Sequence, residues 1–227
     1  VMGVYAERSH RIIETRNCKI QDKLSQKIAN TIYDFLLDNN IQVYNEKTLK
    51  GSIRHIIIRI GKKTNEVMVT LVTNSEIEKQ KELIGLLTSK YPEIKTIAKN
   101  INSKNTNVIL GDKTEIIYGN GYIYDYLGSK KFKISPLSFY QVNPIQTEKL
   151  YSKAVEYAEL TGKETIFDLY CGIGTIGIFA SDKVNKIYGI ETIPEAIEDA
   201  RENAKINQIE NSEFFARRCR ENLTRTN

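Results

Sequence analysis

The stretch IFDLYCGIGTIGIFAS, Ile166 to Ser181, decides how the second half of this sequence folds. An apolar, β-prone run leads into Gly172, Gly174 and Gly177 in G-x-G-x-x-G spacing, and an apolar helical pattern follows. Glycines at such a turn let the backbone approach a ligand and let the chain reverse into a helix with free N–H groups. Glu191 closes the next apolar run, KIYGIE, about 20 residues after the first glycine, where a carboxylate can accept hydrogen bonds from ribose hydroxyls. The pair fits an adenosine-type cofactor, NAD included, and the glycines also fit tight strand–helix packing alone. Asp168 argues against NAD, because dinucleotide fingerprints usually keep an apolar residue in that part of the strand. Its other reading is a cap on the following loop.

Outward from this turn, the pattern alternates. QTEKLYSKAVEYAEL reads as a helix, ETIFDLY as a strand, TIGIFASD as a helix, KIYGIE as a strand, PEAIEDARENAKIN as a helix and SEFFA as a strand. Such alternation predicts a parallel, doubly wound, Rossmann-like α/β sheet over residues 144–227, of which only the first half is expected. Residues 1–110 read as a small α+β domain: a helix over residues 20 to 39, a hairpin of SIRHIIIRIG with EVMVTLVT, a helix near Glu76 to Lys90, and a strand at IKTIAKNIN. The short alternating pieces TEIIYG, GYIYDYLG and KKFKISP predict an antiparallel β connector over 111–143.

The chain has 227 residues, 41% of them hydrophobic, and a net charge of +5, which suits a polyanionic partner without demanding one. No apolar run approaches the roughly 18–20 residues of a membrane helix, and the first residues lack a signal peptide's order, so a cytosolic protein is expected. Cys18, Cys171 and Cys219 are too scattered for a disulfide framework, and His10 and His55 are too far apart to found a metal site. Lys130, Lys131 and Lys133 are either phosphate contacts or a solvated hairpin edge.

Four segments carry a resemblance: GVYAERSHRIIETRNCKIQ (Gly3 to Gln21), SPLSFYQVNPIQTEKLY (Ser135 to Tyr151), FDLYCGIGTIGIFAS, and YGIETIPEAIEDARENAKINQIEN (Tyr188 to Asn211). D-L-x-C-G-x-G-T is the usual first motif of S-adenosylmethionine-dependent methyltransferases. S-F-x-Q-V-N followed by Q-T-E-x-L-Y is more specific, and with it the chain resembles the RNA uridine-5-methyltransferases, which modify C5 of uridine in 23S ribosomal RNA or in the transfer-RNA T-loop. The resemblance implies an S-adenosyl-L-methionine site with Gln141 on the cofactor, Tyr170 beside it, Thr175 on the cofactor side and Glu191 on the ribose, with Asp168, Gly172 and Gly174 shaping the turn. Read without the resemblance, Gln141 is a loop amide and Tyr170 a core aromatic at a strand end.

In the family, a cysteine thiolate adds to uracil C6 and a base later removes the C5 proton, from a uridine flipped out of its stack. That cysteine lies in a D-P-P-R-x-G-C segment with no counterpart in this sequence, so the chain itself is expected to be inactive. Cys171 lies within the glycine turn and is not the nucleophile. Cys18 matches the last of four ligands to a [4Fe-4S] cluster in many members; the other three have no counterpart here, so Cys18 is a ligand only in an intact parent protein, or a plain buried thiol. The implied partner is RNA, ribosomal before transfer RNA, with a monomeric protein and no membrane. The rivals are an RNA-binding module without catalysis and an NAD-dependent oxidoreductase.

After SEFFA the family continues with G-D-A-E-E, whereas this chain has RRCRENLTRTN, with Arg217 and Arg218 at the expected Gly-Asp turn. Codons exist for this tail that, read one base along, spell G-D-A-E-K-T-L-P-E-L. The tail is therefore expected to be a frameshift product of a truncated chain, or a frayed terminus, with Cys219 lacking a role.

Overall fold

A computed structural model describes residues 1–9 and 11–217. His10, Arg218, Cys219 and the tail reading beyond Arg217 lie outside the described residues. The chain divides into two units, one of Val1–Ile60 and Asn65–Gly121, the other of Gly61–Thr64 and the chain from Tyr122 onward.

The first unit opens with a small antiparallel pair, β1 (Gly3–Tyr5) and β2 (Ile12–Glu14). Helix α1 (Lys23–Asp38) follows, its N-cap Asp22 accepting from the Leu24 amide at 2.7 Å. Strands β3 (Ile53–Ile60) and β4 (Val67–Thr73) pair antiparallel. Helix α2 (Gln80–Lys90) then crosses to β5 (Ile94–Ile101), which lies parallel to β4. Ile28, Ile32, Leu36, Val69, Leu83, Leu87 and Ile97 meet in its core, each burial worth about 1.5–3 kcal/mol. The second helix starts later than the expected Glu76. Lys79 adopts a left-handed conformation (φ +55°), and the Glu76 carboxylate instead accepts from the Lys99 ammonium at 3.0 and 3.1 Å. Lys99 is only 6% exposed and also meets Glu115, which its two lysine neighbours, Lys113 and Lys99, hold down to a pKa of about 2.

The stretch expected as one connector, 111–143, is divided. Strand β6 (Lys113–Gly119) pairs antiparallel with β5, completing a four-stranded sheet of order β3-β4-β5-β6. Strands β7 (Ile123–Leu127) and β8 (Lys130–Ile134) form a separate hairpin within the second unit. All three pieces carry the same alternating signal, and pairing partners far apart in sequence decide which sheet each joins.

In the second unit, α3 (Pro144–Tyr157) leads to β9 (Thr165–Leu169), α4 (Thr175–Ala180), β10 (Lys186–Glu191), α5 (Pro194–Ile206) and β11 (Ser212–Ala216). The strands form the expected parallel sheet in the order β11-β10-β9, the arrangement of the first arm of a doubly wound sheet.

Candidate functional site: the glycine turn and its walls

Parallel pairing of β9 with β10 brings the end of one strand beside the end of the other. The Tyr170 and Cys171 amides both donate to the Ile190 carbonyl, at 2.8 and 3.0 Å, and this places Glu191 next to the turn. Its Oε2 accepts from the Gly172 amide at 3.2 Å, and its Oε1 accepts from the amides of Thr192 and Ile193 and from the Thr192 hydroxyl. Burial raises the pKa of Glu191, but these hydrogen bonds outweigh it and hold the carboxyl below its ordinary value, so it stays ionised.

The three glycines serve different ends. At Gly172 (φ +53°) a Cβ would meet nothing within 4 Å, so that side of the turn is open to a ligand. At Gly174 (φ +79°) a Cβ would stand 3.0 Å from the Phe214 ring, and at Gly177 it would stand 2.9 Å from Ile187 Cγ2. The latter two are therefore packing glycines that let α4 settle on the sheet. Tyr170 also has a left-handed backbone (φ +65°), a conformation that costs a non-glycine residue about 1–3 kcal/mol and clusters at functional turns. The residue is 72% exposed, so the core reading for Tyr170 does not hold. Cys171 is buried, with its sulfur facing Gly189 of β10.

Asp168 points along the sheet to α4, where its Oδ2 accepts from the Gly177 amide at 3.3 Å. Burial, only partly offset by that bond, raises its pKa, the opposite of Glu191. Below the ordinary aspartate value of 3.8 the group is neutral in both folded and unfolded chains, and above its raised folded pKa the native state carries a desolvated charge. The native state of the ligand-free protein thus loses stability as pH rises through that range. Asp168→Asn is expected to raise the thermal midpoint at pH 7, with the gain shrinking towards pH 3; a gain independent of pH would rule out this account.

Thr175, the first residue of α4, shares a hydrogen bond with the Tyr151 hydroxyl of α3 at 3.2 Å. Gln141 is half-buried, between Ser138, which donates to Asp199 at 2.8 Å, and Asn143, which caps α3 by accepting from Gln146 N. Gln141 thus lies in the loop between β8 and α3. No described bond joins Gln141 directly to the turn. Lys130 pairs with Asp182, Lys133 with Glu202 and Asp199, and Lys131 lies 3.9 Å over the Tyr124 ring. Lys130 and Lys133 are largely buried in these ion pairs, which departs from the solvated-edge reading. Cys18 is half-buried, its backbone amide and carbonyl both bound by the Gln26 side chain, and no group of three potential metal ligands occurs among the described residues. No described helix is long and apolar enough to cross a membrane.

A family model described as a methyltransferase domain matches residues 160–225, which cover the turn and both of its strands. The chain is 52% identical to an uncharacterized RNA methyltransferase of Clostridium acetobutylicum over 98% of its own length and 48% of the relative's. It is 46% identical to another of Bacillus cereus, over 94% and 47%. The Pyrococcus abyssi tRNA (uracil-54, C5)-methyltransferase, solved with S-adenosyl-L-homocysteine, superposes with a TM-score of 0.75 at 30% identity, over 90% of this chain and 49% of that one. This chain is similar to RNA methyltransferases. It spans about half the length of the curated relatives it matches.

The methyltransferase fold also exposes what the sequence reading missed. Asp199 and Asn203, both buried on α5, and Tyr151 on α3 organise the site's surroundings. A signal existed for the first two. They sit among Ala196, Ala200 and Ala204 on the face of α5 that is buried, where polar residues need partners.

Proposed function

We propose that this chain is the cofactor-binding part of an S-adenosylmethionine-dependent RNA uridine-C5 methyltransferase. The observation that carries this reading is the ionised Glu191 carboxylate fixed against the Gly172 amide, beside a turn whose Gly172 face is open. The open face admits a bulky ligand, and the carboxylate matches the paired hydroxyls of an adenosyl ribose. When bound, the cofactor supplies an electrophilic methyl group on a positively charged sulfur. In this reading Glu191 accepts from the ribose hydroxyls, and Tyr170 and Gln141 contact the cofactor. Thr175 and Asp168 hold the helical side of the turn, Gly172 provides the approach, and Gly174 lets the turn pack against Phe214.

Uridine C5 is supported by the SFYQVN segment, Ser138 to Asn143, and by the likeness to the Pyrococcus enzyme. Ribosomal RNA is the substrate we favour, acted on in the cytoplasm by a monomeric protein of the relatives' length. Cys18 would be the fourth [4Fe-4S] ligand only with three further cysteines from such a longer chain.

Calorimetry with S-adenosylhomocysteine and NAD tests the cofactor. The first is expected to bind and the second not, and the reverse result would return the site to the oxidoreductase reading. Given S-adenosylmethionine and unmodified ribosomal or transfer RNA, the 227-residue chain is expected to transfer no methyl group; any transfer would show that its catalytic residues are here.

A further inference from the structure

Strands β7 and β8 make a two-stranded sheet, yet the outer edge of β8 is not bare. Asn203 accepts from the Lys133 amide at 2.7 Å and donates to the Lys133 carbonyl at 3.3 Å. Asn207 repeats the pattern at Lys131, at 2.8 and 2.6 Å. The spacings agree: a step of four residues along a helix advances about 6 Å, and a step of two along a strand about 6.6–6.8 Å. Two asparagines, Asn203 on α5 and Asn207 at its C-cap, therefore take the place of a third strand.

Asn207 Nδ2 also donates to the Asn203 carbonyl at 2.7 Å, a bond within its own helix end, whereas Asn203 reaches a different segment of the chain. Asn203 Nδ2 also donates to the Ile173 carbonyl at 3.2 Å, between the first two glycines of the turn, and the side chain is wholly buried. One turn earlier on the helix, Asp199 accepts from the Ser138 hydroxyl, which in turn accepts from the Ser135 amide at 3.1 Å. The same face of α5 thus grips both the glycine turn and the segment that runs from β8 to Gln141.

We propose that Asn203 is a positioning residue that sets the glycine turn in register with the segment carrying Gln141, so that the two walls of the cofactor site form as one piece. The proposal rests on the reading that both walls hold S-adenosylmethionine. It requires both amide hydrogens of Asn203, one for Lys133 and one for Ile173.

Asn203→Asp keeps the shape and the bond from the Lys133 amide but turns an oxygen toward two carbonyls. Asn207→Asp makes the same change at the same strand without touching the turn. Hydrogen exchange on the ligand-free chain is the first readout. N203D is expected to lose protection in both the 170–178 and 131–141 peptides, and N207D only around 130–134. S-adenosylhomocysteine affinity is the second: a loss of about tenfold or more is expected for N203D, equivalent to at least about 1.4 kcal/mol, against less than about threefold for N207D. Unchanged turn protection in N203D, or equal disturbance of the turn in both variants, overturns the proposal. If N203D fails to fold, Asn203→Ser, with a single donor, is read on the same two arms. A wild-type chain that binds no S-adenosylhomocysteine would defeat the proposed function, while the exchange experiment would still decide the role of Asn203.

Discussion

Replacing Gly172 by alanine is expected to weaken S-adenosylhomocysteine binding by at least about tenfold while leaving the chain folded, because the open space beside Gly172 is where the proposed cofactor would lie. No atom lies within 4 Å of the added methyl group, so the folded protein bears only the cost of a left-handed alanine at φ +53°, roughly 1–2 kcal/mol. The methyl group would project into the space assigned to the cofactor. Calorimetry and a thermal melt on one preparation separate the two effects. Intact affinity in a folded Gly172→Ala variant would mean that the open side of the turn does not face the ligand.

The second large effect concerns stability rather than binding. Gly189→Ala places a methyl group 2.3 Å from the Phe214 ring and 3.0 Å from the Cys171 sulfur. Phe214 cannot retreat easily, since it also stands 3.0 Å from the position of a Cβ on Gly174, and the ring is wedged between the two glycines. Overpacking of this kind costs about 1–3 kcal/mol, which in a domain of roughly 100 residues lowers the midpoint by about 5–15 °C. Adding Phe214→Leu should recover part of the loss. A single variant as stable as wild type would show that the ring has room that the geometry denies it.

Both predictions depend on residues whose existence was legible in the sequence and whose tasks were not equally so. Gly172 and Gly174 share a motif, yet one faces open space and the other an aromatic ring from β11, forty residues or so further along. Asp168 and Glu191 are both carboxylates at strand ends, and burial wins at the first while hydrogen bonds win at the second. Gly189, at the centre of β10, carried no signal beyond its lack of a side chain.

The sequence by itself determined the order of elements from α1 onward, the strand–turn–helix around Gly172, the spacing to Glu191 and the parallel character of the second sheet, because periodicity and turn chemistry are set by near neighbours along the chain. Only the tertiary structure decided that β6 belongs to the first sheet and β7–β8 to the second unit, and that Lys130 and Lys133 are taken up by Asp182, Asp199 and Glu202. It alone showed that Asn203 joins β8 to the glycine turn. Hydrogen-bond partners and desolvation depend on groups that folding brings together from distant positions, and no local pattern encodes which of several equivalent partners will be nearest.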